Sequence, residues 1–169
     1  MKLASLETIF RVLNEANVRY LVVGGLAVAA HGYGRVTFDV DLVIQLQSDN
    51  VQRAVDGLGS LGYRAVAPVT PRDLADAAIR KSWVQEKHMV VFSMNSDQHR
   101  ETSVDIFVAE PFDFDSEYNE ALTGEIVTGV PVRFLRLEAL IRMKEAAGRA
   151  KDLEDIRQLR LLLESPGHE

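Results

Sequence analysis

Two aspartates one residue apart open an apolar run, Asp39-Val40-Asp41-Leu42-Val43-Ile44. In an extended strand side chains alternate between faces, so Asp39, Asp41, Val43 and Gln45 share one face and Val40, Leu42, Ile44 and Leu46 the other. The apolar set fixes the register against a core, because a slip by one residue would turn it to solvent. Two carboxylates are thereby held side by side, and a divalent cation between them is what most easily keeps both ionised. Upstream, Gly24–Gly25 stands between the apolar run Tyr20–Val23 and a small helix through Ala30. Glycine at such a junction lets backbone N–H groups approach a phosphate. Together these features describe a metal–nucleotide site.

A third carboxylate sits in Ser103–Val108, where Val104, Ile106 and Val108 face one way and Ser103, Asp105 and Phe107 the other. A lone aspartate in mid-strand runs against β-propensity. Alone it reads as part of a solvated face. If its strand neighbours the first, Asp39, Asp41 and Asp105 converge on a pair of Mg²⁺ or Mn²⁺ ions that would polarise an acceptor hydroxyl and stabilise leaving pyrophosphate. Arg35 and Thr37 precede the aspartates at alternate positions and share their face. Arg35 serves either a phosphate or the acidic cluster. Lys144 lies on the apolar stripe of its helix with Leu137, Leu140 and Ile141, so it either snorkels to the surface or reaches an anionic ligand from a buried position. Arg149, Lys151 and Asp152 open the following helix, where Asp152 also suits the helix dipole. His31 reads as structural or capping, and His88, His99 and His168 show no ligand spacing.

The elements that must position these groups follow from periodicity. Leu6, Ile9, Phe10 and Leu13 stripe an opening helix over residues 5–16. Ser48 is a candidate N-cap for a helix striped by Val51, Ala54, Val55 and Leu58 and ended by Gly62. A short strand is expected over 63–67, and Thr70-Pro71 signals a helix running to about Arg80. Residues 88–94 and 103–108 form one hairpin-like pair and 125–128 and 130–135 another around Gly129, with Pro131 pointing to an edge strand. Two helices, 137–147 and 150–163, close the chain before a frayed SPGHE tail. The expected fold is α/β (α+β): a mixed sheet flanked by helices, with a core over residues 1–135 and a helical segment, 136–169, packed on it as one domain.

Composition permits this and excludes alternatives. The 169 residues suffice for one core. There is no cysteine, which rules out disulfides and Cys-based zinc sites and suits a reducing compartment. The N-terminus has no long uncharged apolar run, so no signal peptide or membrane span is expected and the chain reads as cytoplasmic. The net charge of −6 is uneven: nine acidic residues face one arginine over 97–125, and eight basic face five acidic over 131–163. Solvated surface accounts for both biases. A triphosphate or RNA held by the basic third is the sharper reading, while the overall balance argues against broad nucleic-acid binding.

Gly24–Gly25, then R-x-T-x-D-x-D over Arg35–Asp41, then SVDIFV together resemble the nucleotidyltransferase superfamily with a DNA polymerase β-like core. The longer run GGLAVAAHGYGRVTFDVDLVI, with R-A-K-D at Arg149–Asp152, is most similar to its AbiEii-like abortive-infection toxin branch. The resemblance implies metal ligation by Asp39, Asp41 and Asp105, with Asp105 helping to activate the acceptor. Triphosphate would sit near Gly24–Gly25, with Arg35, Thr37, Lys144, Arg149 and Lys151 toward nucleotide or acceptor. Many members carry serine where this chain has Gly25, which leaves backbone N–H groups to meet the phosphate. The implied activity moves a nucleoside monophosphate from an NTP, ATP among them, to a hydroxyl on an RNA end, a protein or a small molecule such as an antibiotic. The alternative is a non-catalytic nucleotide- or partner-binding half of a toxin–antitoxin pair, with a cognate antitoxin or toxin as partner.

Overall fold

In the computed structural model, which describes residues 1–34 and 36–164, seven strands form one mixed sheet. They are β1 (Tyr20–Val23), β2 (Asp39–Ile44), β3 (Tyr63–Ala65), β4 (Val91–Ser96), β5 (Ser103–Phe107), β6 (Leu122–Glu125) and β7 (Pro131–Phe134), in the order β3-β4-β5-β2-β1-β7-β6. The helices are α1 (Leu3–Glu15), α2 (Gly24–Ala30), α3 (Ser48–Ser60), α4 (Ala77–Lys87), α5 (Phe114–Asn119), α6 (Leu137–Ala147) and α7 (Asp152–Glu164), and a 3₁₀ turn spans Pro71–Ala75. The mixed sheet flanked by helices agrees with the sequence. Arg35 and the SPGHE tail lie outside the described residues. No helix among the described residues is long and apolar enough to cross a membrane.

Strand alternation builds the core. Val40, Leu42 and Ile44 of β2, Val104 and Ile106 of β5, and Phe92 and Met94 of β4 are all buried on one face. The apolar stripe of α1 packs here, with Phe10 stacked on Tyr20 at 5.7 Å between ring centroids, and Trp83 of α4 stacks on Phe92 at 5.8 Å. Burying such side chains contributes roughly 1.5–3 kcal/mol each, which makes this face the main source of stability. Asn50, 1% exposed, locks α3 to the sheet: its Oδ1 accepts from the Arg19 N–H and its Nδ2 donates to the Arg19 and Gln45 carbonyls.

On the opposite face the sheet divides. All four residues of β1 are buried, and α2 lies against β1 and β2 with its first glycine on Asp41. Toward β5, β4 and β3 the same face is uncovered, so Asp105 and Ser93 are half-buried and Asn95 and Arg64 exposed. The carboxylates stand at the border between the covered and open halves.

Several boundaries differ from the sequence reading. Ser48 is already helical, and Gln47 caps α3 without a side-chain bond. The Thr70-Pro71 signal starts only the 3₁₀ turn, in which the Asp73 carboxylate accepts from the Thr70 N–H at 2.9 Å. Asp76 then caps a separate helix, accepting from the N–H groups of Ala78 and Ile79. Strand β4 starts at Val91, because His88 takes a left-handed conformation (φ 49°) that ends α4. The last hairpin pairs Leu122–Glu125 with Pro131–Phe134, and β7 is an interior strand. Pro131 fits there because β7 meets β1 only at Val22↔Phe134, so no ladder donor is needed at the proline nitrogen.

Candidate active site

Parallel pairing of β2 with β5 aligns Asp39 with Ser103 and Asp41 with Asp105. The condition that sequence left open, neighbouring strands, is therefore met. Carboxylate oxygens of Asp39, Asp41 and Asp105 lie within 4.8 Å of one another. Burial, followed by the charges of Asp39 and then Asp105, pushes Asp41 up to about 6. Asp105 is raised as well, chiefly by burial and also by Asp39, against a hydrogen bond from Ser93. Three partly desolvated carboxylates in mutual repulsion form an all-oxygen donor set that a hard divalent cation would relieve.

Gly24 has φ +64°, and a Cβ there would overlap the Asp41 Oδ2 atom, so only glycine lets the backbone come this close to the carboxylate. At Gly25 the missing Cβ makes room for a different neighbour: it would fall 2.8 Å from Thr37 Oγ1 and 2.9 Å from Thr37 Cβ. Thr37 thus places a hydroxyl beside the space that a serine at position 25 would fill. It donates to Asp39 Oδ1 at 2.9 Å. His31 is structural, its Nε2 lying 2.8 Å from the Leu135 carbonyl where the chain enters α6.

The basic residues divide. Lys144 does not snorkel: it is 4% exposed, and its Nζ meets Asp155 at 2.8 Å and Asp152 at 3.2 Å. Arg149 meets Asp152 at 2.6 Å through Nε while its own side chain stays half-exposed. Burial would raise Asp152, but hydrogen bonds from Arg149 and Lys144 outweigh it and hold the carboxyl below its ordinary range. The Asp152 hydrogen bond raises Arg149, to which Asp41 and Asp39 add. Arg149 and Lys144 in turn hold Asp41 down against burial and its acidic neighbours, so both positive charges bear on the carboxylates. Lys151 is exposed ahead of α7 and is not among the charges that shift Asp41. Sequence reasoning missed Ser93 and Asp155. The signal for Ser93 was the alternation of β4; for Asp155 it was the three-residue spacing from Asp152 on one helix face.

The fold is that of nucleotidyltransferases. The solution structure of the antibiotic-resistance factor ANT(2'')-Ia matches with a TM-score of 0.62 and 18% identity, covering 95% of this chain and 83% of that one. Its crystal structure in complex with adenylyl-2''-tobramycin gives 0.59 and 18%, covering 95% and 88%. The lincomycin-bound lincosamide antibiotic adenylyltransferase LnuA gives 0.57 and 15%, covering 93% and 95%. No family model matches the chain, and no curated protein does.

Proposed function

We propose that the chain is a divalent-cation-dependent nucleotidyltransferase that moves a nucleoside monophosphate from an NTP to a hydroxyl acceptor and releases pyrophosphate. The observation that carries this is the convergence of Asp39, Asp41 and Asp105 within 4.8 Å on a nucleotidyltransferase fold. These three residues would hold the cation. When bound, Mg²⁺ or Mn²⁺, as one ion or two, supplies Lewis acidity at the phosphate and neutralises charge.

The chain's own groups do the rest. Asp105, hydrogen-bonded by Ser93, takes the proton of the acceptor hydroxyl. The acceptor oxygen bonds to the α-phosphorus as the bond from that phosphorus to the pyrophosphate oxygen breaks. Arg149 and the Gly24–Gly25 backbone N–H groups face the triphosphate on the covered flank, and Thr37 steadies Asp39. Lys144 acts at one remove, fixing Asp152 and through it Arg149. The motif over Gly24–Asp41 supports placing the chain in the AbiEii-like branch, and adenylylated tobramycin in a structural neighbour supports a small-molecule acceptor among the candidates.

Pyrophosphate release with NTP, Mg²⁺ and fractionated cell extract tests the reading. Wild type should release it and Asp41→Asn should be slowed at least about 100-fold. Metal-dependent NTP binding with no release by wild type would replace the enzyme by a binding module.

A further inference from the structure

With the triphosphate assigned to the covered flank, the acceptor must come from the other side, across the open strands. There a cleft of about 970 Å³ is lined by Phe38, Arg64, Val66, Asn95, Ser103 and the β4–β5 turn. Its lining ends at Ser103, the register partner of Asp39 on the neighbouring strand. The pairing Met94↔Val104 carries on to bring Asn95 beside Ser103, and Arg64 pairs with Asn95. One row of side chains on the catalytic face therefore runs Asp39, Ser103, Asn95, Arg64. Three strand spacings of about 4.8 Å put its ends about 14 Å apart at the backbone. Two acids of the cleft are already matched, Asp97 by Arg100 and Glu101 by Lys2, whereas Arg64 makes no ion pair among the described residues. Phe38 and Val66, 66% and 59% exposed, give the same cleft an apolar wall.

We propose that this open half of the sheet is the acceptor subsite and that Arg64 selects acceptors bearing a phosphate group near the reacting hydroxyl; the proposal rests on the nucleotidyl-transfer reading above. Asn95 and Ser103 supply hydrogen bonds along the row, Phe38 receives a flat or apolar part of the acceptor, and the guanidinium pairs the phosphate with its forked donors. A polyamine acceptor such as tobramycin would meet Arg64 with like charge. Phosphate on a small metabolite and phosphate in a nucleic-acid end offer the same chemistry at this point.

Amide and arginine side-chain NMR shifts of the full chain, without NTP or metal, test the assignment. The probes are ribose 5-phosphate, a 5′-phosphorylated RNA trinucleotide and tobramycin. Either phosphate probe should shift Asn95, Ser103 and the Arg64 Nε–H, and Arg64→Glu should weaken that binding at least tenfold. Arg149→Glu should leave the shifts at Asn95 and Ser103 in place. Trinucleotide binding tenfold tighter than ribose 5-phosphate assigns a nucleic-acid end; equal binding assigns a small acceptor. No shift at these residues with millimolar phosphate probes, equal binding by Arg64→Glu, or tobramycin seated there instead would overturn the proposal. Because neither NTP nor turnover enters the readout, this result is separable from failure of the transferase reading. If transfer is observed, Arg64→Glu should raise the acceptor KM and leave the NTP KM unchanged.

Discussion

Gly24 and Asp41 are the tightest pair in the site, since backbone and carboxylate occupy space that any side chain would fill. Gly24→Ala adds the strain of a left-handed conformation, about 1–2 kcal/mol, to displacement of the carboxylate. It should cut transfer at least about 100-fold. Gly34→Ala, with open space at its Cβ, should transfer like wild type; steady-state rates of the two variants check this. Asp41 also makes a pH prediction. Its folded value of about 6 lies above the ordinary 3.8, so the folded state binds the proton more tightly than the unfolded. Its contribution to stability is complete below pH 3.8 and is lost as pH rises through about 6. Without divalent cations, Asp41→Asn should exceed wild type by about 2–3 kcal/mol at pH 7.5, and the gap should close near pH 4. Thermal melts across pH measure it, and a gap independent of pH would contradict it. The residue types at Asp39, Asp41 and Asp105 were legible from alternation alone. The role of Thr37 was not, because it depends on a loop bringing the hydroxyl onto Gly25.

At the scale of elements, α6 and α7 are joined by buried charge. Lys144 lies between Asp152 and Asp155, and all three are nearly inaccessible. Lys144→Met would remove the buried cation that Asp152 and Asp155 share, leaving Arg149 as the cation on Asp152, and should cost about 3–5 kcal/mol. Urea unfolding checks this, and a loss under 1 kcal/mol would mean the carboxylates are satisfied elsewhere. The bounds of α6 were readable from its stripe and from Gly148, which caps it at φ +61°. The partners of Lys144 were not readable, since a lysine on an apolar stripe looks the same whether it snorkels or is buried. A similar ambiguity hid the break at Asp76. Thr70-Pro71 and Asp76 are both sound start signals, and only packing decided that the first opens a single turn.

For the whole molecule, the decisive feature is the order β5-β2-β1, which places one carboxylate strand against the other and the glycine turn beside Asp41 of the first. Strand existence follows from local pattern, but a parallel pair separated by two helices and two strands is set by the global packing of the sheet, and periodicity does not encode it. The same arrangement concentrates three negative charges at the border of the covered and open halves. Mg²⁺ should therefore raise the melting temperature at pH 7.5, by mass action on the folded state alone. Asp39→Ala/Asp41→Ala should abolish that rise, and EDTA should reverse it. An equal rise in the double variant would place the cation elsewhere.

The most direct measurement follows two labels of one NTP in the presence of Mg²⁺ and fractionated cell extract. Wild type should place α-³²P in an RNA, protein or small-molecule fraction and release γ-³²P as pyrophosphate, and Asp39→Ala/Asp41→Ala should do neither. Entry of γ-³²P into the acceptor, or α-label transfer undiminished in the double variant, would contradict the proposed transfer.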